Sequence, residues 1–250
     1  MNILCIGNSF SEDACKYLPD MAKSSEKDVF TLNMFIGGCS LETHAYNIFF
    51  NKPYYRMEYN GIDDPALCRE GSLQEGLTEK EWDIITIQQV SRLSGIYETF
   101  QPHLNRIISR VRDVCPKAKI FIHKTWAYDD YGKGWNLENY DNDRHVMHSR
   151  LTDAYNEAFR AINADGIIPT GDVIHALREH PVFDLSKDNS ISLTRDGGHL
   201  SFSYGRYAAA ASWYQTFVGD VDETNYLPEG EDFDPELIAL IKQTVKSICK

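Results

Sequence analysis

The sequence has no excess of positive charge. Its 25 Lys and Arg residues are outnumbered by 37 Asp and Glu residues, so the formal net charge is −12. Basic surfaces bind nucleic acids and anionic membranes, and we therefore expect neither as the main partner. Neutral or cationic small molecules remain open as ligands, and the sequence leaves the oligomeric state undetermined.

Cysteine pairs and targeting segments are also missing. The six cysteines form no C-x-x-C pair and no zinc-finger spacing, which favours free thiols in a reducing compartment. No apolar run reaches membrane-spanning length, and an apolar strand begins at residue 2, which leaves no room for a signal peptide. We expect a cytoplasmic protein, although a chain from which a leader had been removed would look the same.

Three familiar site motifs do not occur. The absence of G-x-x-x-x-G-K-[ST] and of G-x-G-x-x-G argues against a nucleotide site. The G-x-S-x-G motif that carries the nucleophile of the α/β-hydrolases is absent as well. No cofactor is expected from these patterns.

The sequence does contain a regular alternation of strands and helices. Hydrophobic residues make up 42% of the chain, enough to fill a large core. Five apolar segments predict strands, and the helices between them predict a three-layer α/β/α sandwich around a mostly parallel, five-stranded sheet. No linker or repeat divides the chain, so we predict one domain over residues 1–250. The five segments are NILCIG, VFTLNMF, WDIITIQQ, AKIFIHKTW and GIIPT.

Two other segments carry weaker predictions. The first helix is expected over residues 12–25, directly after the first strand. The stretch YYRMEYNG is typical of a short strand or of one arm of a hairpin.

The stretch IGNSFS places Ser9 where the first strand ends. Ligands of open α/β sheets bind at the carboxyl ends of the strands, so Ser9 is a candidate nucleophile there. His199 in the later stretch DGGH is a candidate base, and Asp196, three residues before it, could orient the imidazole. The alternative is that Ser9 only caps the following helix, since serine is a preferred cap.

Candidate oxyanion donors lie at the ends of the first three predicted strands. The backbone N–H groups of Ser9 and Gly38 are two candidates, and the third is the side-chain amide of Gln89 or its neighbour Gln88. Since a strand alternates faces, only one of the two glutamines should point into the site.

Taken in order, these stretches resemble the SGNH (GDSL-like) hydrolases, a resemblance that covers nearly the whole chain. It is closest to a branch that opens with IGNSFS and carries QQ after the third strand and DGxHLS near the end. The resemblance implies a flavodoxin-like fold and a metal-independent esterase mechanism, with the roles given above to Ser9, Gly38, Asp196 and His199. Asn8 replaces the acidic residue of the common G-D-S motif, and we include it among the candidate oxyanion or substrate-binding residues.

A second departure from the family pattern concerns the oxyanion donor of the third block. The family's G-x-N-D, whose asparagine donates to the oxyanion, is missing here. Some relatives that deacetylate sugars use a glutamine at that place, which points to Gln89.

A long loop over residues 126–143 carries Trp126, Tyr128, Tyr131 and Trp135. Exposed aromatic rings at this sheet edge could stack on a sugar or cover an acyl chain, and Trp126 is included among the candidate binding residues. Alternatively, the loop packs on its own surface.

Other histidines give weaker indications. His145 and His148, with Asp141 one turn earlier, could present metal ligands on one helix face, but no other element offers a further ligand, so we expect no metal site. His123 ends a predicted strand and either lines the pocket or is a hydrogen-bonded structural residue.

The sequence therefore predicts a serine ester hydrolase that removes a small acyl group, such as acetyl, from a carbohydrate-like substrate. One alternative is a non-catalytic binding module for a sugar or nucleotide. Another is a lipase or thioesterase with the same triad, which would differ only in its pocket.

Overall fold

The computed structural model describes residues 1–130, 135, 137–230 and 232–249. Its core is a seven-stranded sheet with the strand order β4-β3-β2-β1-β5-β6-β7. The five predicted strands are present, and all five run parallel to one another. The strands are β1 (Asn2–Gly7), β2 (Phe30–Phe35), β3 (Tyr55–Tyr59), β4 (Arg69–Gly71), β5 (Ile84–Ile87), β6 (Lys119–His123) and β7 (Gly166–Ile168).

The predicted fold class is confirmed, but the sheet has two more strands than predicted. Strand β3 lies antiparallel to β2, and β4 lies antiparallel to β3 at the edge. β3 is the stretch expected to be a strand or hairpin arm, whereas β4 was not predicted. It has three residues, two of them exposed, and so has no apolar run from which to recognise it.

Helices cover both faces of the sheet. The helices are α1 (Ser9–Cys15), α2 (Leu18–Ser24), α3 (Leu41–Phe49), α4 (Leu73–Thr78), α5 (His103–Val114), α6 (Arg144–Ile162), α7 (Thr170–Arg178), α8 (Tyr204–Phe217) and α9 (Pro235–Ile248). Helix α8 packs against α1, α2, α7 and α9 in one layer, and α5 packs against α3, α4 and α6 in the other. None of the helices in the described ranges is both long enough and apolar enough to cross a lipid bilayer.

The helix predicted over residues 12–25 is two helices. α1 ends at Cys15, and α2 begins at Leu18 with a proline in its first turn. Proline suits a first turn, where its missing N–H is not needed, and it disrupts a helix interior. The break ends α1 after seven residues, so this helix consists only of residues that closely follow the first strand.

Strand β1 lies at the centre of the sheet, between β2 and β5. Its residues Ile3, Leu4, Cys5 and Ile6 are at most 1% exposed, as expected for a parallel strand covered on both faces. Burial of this strand fixes where the chain leaves the sheet, and Asn8 and Ser9 follow at its carboxyl end.

Candidate active site

Ser9 does not cap the helix that follows β1, because Asn8 does. The Asn8 side chain accepts a hydrogen bond from the Phe10 N–H at 3.0 Å, and the Asn8 N–H donates to Ser11 Oγ at 3.0 Å. This reciprocal pair is a capping box, which satisfies free donors at the start of α1. Ser9 is the first residue of the helix, and its hydroxyl is available for another partner.

The Ser9 hydroxyl, His199 and Asp196 form one hydrogen-bonded chain. Ser9 Oγ lies 2.8 Å from His199 Nε2, and His199 Nδ1 lies 2.7 Å from Asp196 Oδ2. The His199 side chain is 24% exposed and that of Asp196 is 42% exposed. A base held against a hydroxyl, and oriented by a carboxylate, is the arrangement that activates a serine for attack on a carbonyl.

Asp196 is held ready for this role as an anion. Its Oδ1 accepts hydrogen bonds from the backbone N–H groups of Gly198 at 3.0 Å and His199 at 2.7 Å. Partial burial acts to raise the pKa of Asp196, but these bonds and the His199 side chain outweigh it and lower the pKa below its ordinary value. The carboxylate can therefore stabilise a protonated imidazole.

The turn from Asp196 to His199 is supported from the loop that follows β6. The Asp129 N–H donates to the Gly197 carbonyl at 2.7 Å, and Trp126 Nε1 donates to the Gly198 carbonyl at 2.7 Å. Gly197 has a φ of +92°, a backbone conformation that favours glycine. The turn is thus bound to the sheet edge through its own backbone.

The burial of Trp126 contradicts its predicted role in ligand binding. The residue is 0% exposed and stacks on Phe10 with ring centroids 4.4 Å apart, so it supports the turn from Asp196 to His199 instead of contacting a ligand. Tyr128 is buried as well, at 1% exposure. The reason is that the chain turns inward directly after β6, where these rings fill the core. Tyr131 lies outside the described residues.

Trp135 is the loop aromatic residue that contacts the candidate base, His199. Its ring centroid lies 4.9 Å from that of His199, nearly perpendicular to it, and its Nε1 donates to Asp196 Oδ1 at 3.2 Å. The sequence identified Trp135 as one of four loop aromatics but gave no reason to prefer it. Only the folded loop distinguishes it from Trp126.

Asp13 was not predicted, yet it links the two halves of the site. This carboxylate is 0% exposed and accepts from the Leu200 N–H at 2.9 Å, from Arg195 Nη1 at 3.0 Å and from Arg206 Nε at 2.7 Å. It lies one turn after Ser9 on α1, and Leu200 directly follows His199. The sequence signal was an acidic residue four positions after the candidate nucleophile.

The structure shows which groups the side-chain amides of Gln88 and Gln89 contact, which the sequence could not. Gln89 Nε2 donates both to the Thr99 carbonyl and to Thr99 Oγ1, each at 3.1 Å, so its amide is committed away from Ser9. The predicted oxyanion role of Gln89 is therefore wrong. Gln88 Nε2 instead donates to Asn8 Oδ1 at 2.9 Å, directly beneath the nucleophile loop.

A buried chain of contacts orients Asn8 from the sheet. His123 Nδ1 lies 2.5 Å from Gln88 Oε1, and Asn8 Nδ2 donates to the Cys39 carbonyl at 3.1 Å. Burial lowers the pKa of His123 to about 3, so this imidazole is neutral. His123 is thus a structural residue, one of the two roles considered for it. The chain joins the Ser9 loop to the loop that holds Gly38.

Gly38 lies beside these groups in a conformation that glycine favours. Its φ is +62°, and a Cβ built on it would lie 4.0 Å from Arg92 Nη1. Both facts agree with a backbone that approaches a ligand closely. The predicted donor role of its N–H stays a prediction.

Asp141 and His148, which were considered with His145 as metal ligands, each contact a different residue. Asp141 has a left-handed backbone and pairs with Arg150 at 2.7 Å. His148 Nε2 lies 3.4 Å from Asp172, a residue of α7. His148 thus contacts a second helix, a contact that the sequence did not indicate.

Comparison with known families identifies the chain. A family model described as "Domain of unknown function (DUF4886)" matches residues 2–239. The chain belongs to the DUF4886 family. A crystal structure of a DUF4886 family protein from Bacteroides uniformis ATCC 8492 is 32% identical, covers 99% of this chain and 93% of that one, and superposes with a TM-score of 0.87.

More distant structures share the fold of this DUF4886 member. A protein from Slackia heliotrinireducens named as a candidate SGNH hydrolase is 22% identical, covers 86% of this chain and 98% of its own, and has a TM-score of 0.55. A candidate GDSL-like lipase from Parabacteroides merdae is 11% identical, covers 86% and 94%, and has a TM-score of 0.54. No curated protein matches the chain significantly.

Proposed function

We propose that this DUF4886 protein is a serine ester hydrolase that removes a small acyl group, such as acetyl, from a carbohydrate-like substrate. The observation that carries the proposal is the chain from Ser9 through His199 to Asp196, with both contacts at hydrogen-bond distance. The fold that the chain shares with a candidate SGNH hydrolase agrees with it.

The proposed reaction has two steps. His199 Nε2 takes the proton of Ser9 Oγ as the oxygen attacks the ester carbonyl, and then gives it to the departing alcohol as the ester C–O bond breaks. The acyl group is left on Ser9. In the second step His199 takes a proton from water, the resulting hydroxide attacks the acyl-serine, and the carboxylic acid leaves as Ser9 regains its proton.

Two backbone N–H groups are proposed to stabilise the negative oxygen of each intermediate, those of Ser9 and Gly38. Gln88 takes a positioning role in this proposal, since its amide holds Asn8 and Asn8 holds the Cys39 carbonyl. Loss of one oxyanion donor costs about 10²- to 10³-fold in rate where it has been measured in serine hydrolases. The two loops must therefore keep their spacing.

The proposed substrate class depends on the surroundings of His199. Trp135 places an aromatic ring beside the imidazole, where a sugar ring could stack, and the net charge of −12 disfavours strongly anionic substrates. A lipase or thioesterase would use the same triad and would differ in preferring long acyl chains.

The proposal is tested by hydrolysis of p-nitrophenyl acetate. We expect the wild-type chain to turn over and Ser9→Ala to lose about 10⁴-fold or more, because removal of a triad nucleophile leaves only residual catalysis. Ser109→Ala is the matched control, since Ser109 is an exposed serine of α5. Circular dichroism confirms that each variant folds.

Two outcomes would redirect the proposal. Equal rates for the wild type and Ser9→Ala would remove Ser9 as nucleophile, and the non-catalytic binding module would become the better description. Labelling of Ser9 by an organophosphonate would count against that module. A rate that rises from acetate to decanoate esters would replace the small-acyl substrate with a lipid or thioester.

A further inference from the structure

A second group of potential ligands lies on α6 and α7, outside the catalytic chain. His145, His175 and Glu179 each offer one ligand atom, and these three atoms lie within 4.8 Å of one another. His175 and Glu179 are four residues apart, a spacing that places both side chains on one face of a helix. His145 approaches them from α6, so two separate helices contribute to the group.

The neighbouring histidine gives a second, independent observation. The His148 ring stacks on His175 with centroids 3.8 Å apart and an angle of 2° between the planes. Its Nε2 faces Asp172, while its Nδ1 is buried without a hydrogen-bond partner among the described residues. The rings of His145, His175 and His148 are therefore packed together where α6 meets α7.

We propose that His145, His175 and Glu179 bind a divalent cation of borderline softness, such as Zn²⁺. Imidazole nitrogens and carboxylate oxygens are ligands that Zn²⁺ takes in proteins. Three protein ligands leave a fourth position open for water or an anion. Neither Ser9 nor His199 belongs to the group, so its ligands are different from the residues of the proposed hydrolysis.

The separation of the ligand atoms can close to a bonding geometry. With bonds of about 2.1 Å, the ligands of a tetrahedral Zn²⁺ are roughly 3.4 Å apart. His145 and Glu179 are exposed, while His175 is partly buried. The two exposed side chains can therefore rotate toward the ion, with His175 as the fixed member.

Positive charge near the group is balanced by other carboxylates. Arg144 lies 3.0 Å from Glu179 Oε1 but also 3.2 Å from Asp130, and Arg178 lies 2.7 Å from Asp129. When Glu179 turns toward an ion, Arg144 still pairs with Asp130 and Arg178 still pairs with Asp129. The second carboxylate oxygen of Glu179 is left for the cation.

The proposal is tested by titrating ZnCl₂ into the full chain in a calorimeter. We expect one site in the wild type, and in His145→Ala an affinity lower by at least the roughly 10- to 100-fold that loss of an outer-shell partner costs. His103→Ala, which removes a histidine of α5, is the matched control and should bind like the wild type. Zinc should raise the melting temperature of the wild type and not that of His145→Ala.

Two further variants separate this site from other zinc ligands of the chain. His199→Ala should bind zinc as the wild type does, and a loss there would assign the ion to the catalytic histidine and overturn the proposal. Cys68→Ser should also bind normally, because Cys68 is a partly exposed thiol outside the group. No binding by the wild type, or equal binding by wild type and His145→Ala, would overturn the proposal as well.

Discussion

Among the described residues, two histidines contact a carboxylate at 3.4 Å or less, and one of these two histidines also contacts a hydroxyl. His199 contacts Asp196 at 2.7 Å and has the Ser9 hydroxyl on its other nitrogen. His148 contacts Asp172 at 3.4 Å, and its other nitrogen is buried and unpaired among the described residues. The pairing of a histidine with a carboxylate therefore does not by itself identify a catalytic base.

The surroundings of the two carboxylates explain the difference. Asp196 accepts from two backbone N–H groups, which aim its other oxygen at His199. Asp172 contacts the ammonium group of Lys124 at 2.5 Å as well as His148. A carboxylate shared with a lysine is less able to stabilise a protonated imidazole, so we expect proton transfer at His199 and not at His148.

Removing each histidine in turn gives the largest expected contrast. His199→Ala should lower kcat for p-nitrophenyl acetate by about 10³-fold or more, because the base of the triad is lost. His148→Ala should change kcat by less than about threefold, since a residue outside the triad contributes no transition-state contact. Steady-state kinetics of the two folded variants provide the measurement. Comparable losses in both would mean that the two pairs are not distinct in function.

The second prediction concerns Asp13, the carboxylate that joins the two halves of the candidate active site. Asp13→Asn should destabilise the fold by about 3 kcal/mol, because it leaves the buried guanidinium of Arg206 short of its partner. The Leu200 N–H would also lose a charged acceptor, which should loosen His199 and lower kcat more than it raises KM. Urea unfolding and steady-state kinetics measure the two effects.

Asp20→Asn on α2 is the control for this change, since Asp20 is exposed. It should leave both the free energy of unfolding and kcat near their wild-type values. If Asp13→Asn behaved like this control, the catalytic turn would not depend on α1 for its position.

The smallest effect is expected for a third histidine, His44, whose described contacts include no carboxylate. His44 is 0% exposed and contacts the Tyr55 hydroxyl at 2.9 Å, and burial lowers its pKa to about 3. Between that value and its ordinary pKa of about 6.5, the unfolded chain binds a proton that the folded chain does not. Stability should therefore fall as the pH falls through this window.

The measurement is the free energy of unfolding of the wild type and of His44→Gln between about pH 7 and pH 5. As the pH falls, the free energy of unfolding should decrease more steeply for the wild type than for His44→Gln. The difference in slope should be at most one proton, which equals about 1.4 kcal/mol per pH unit. His103→Gln provides the comparison for a histidine at the start of α5 that is not fully buried. Equal slopes for the wild type and His44→Gln would show that His44 is protonated in the folded chain.

The sequence alone determined the five parallel strands and the proximity of Asp196 and His199. An uninterrupted apolar run such as Ile3 to Ile6 predicts a strand buried on both faces, because a strand with one exposed face alternates apolar and polar residues. Asp196 and His199 lie three residues apart, so a single turn brings them together. Information of this kind is local, and it can be read from neighbouring residues.

Tertiary structure decided which distant groups meet. Ser9 and His199 are 190 residues apart, and Asp13 and Arg206 are 193 apart. The roles of Gln88 and Gln89, like the choice of Trp135 over Trp126, depend on loops from different strands, whose side-chain partners leave no periodic signal in the chain. Contacts such as these follow from the sheet order and the loop paths, which no segment of the sequence specifies by itself.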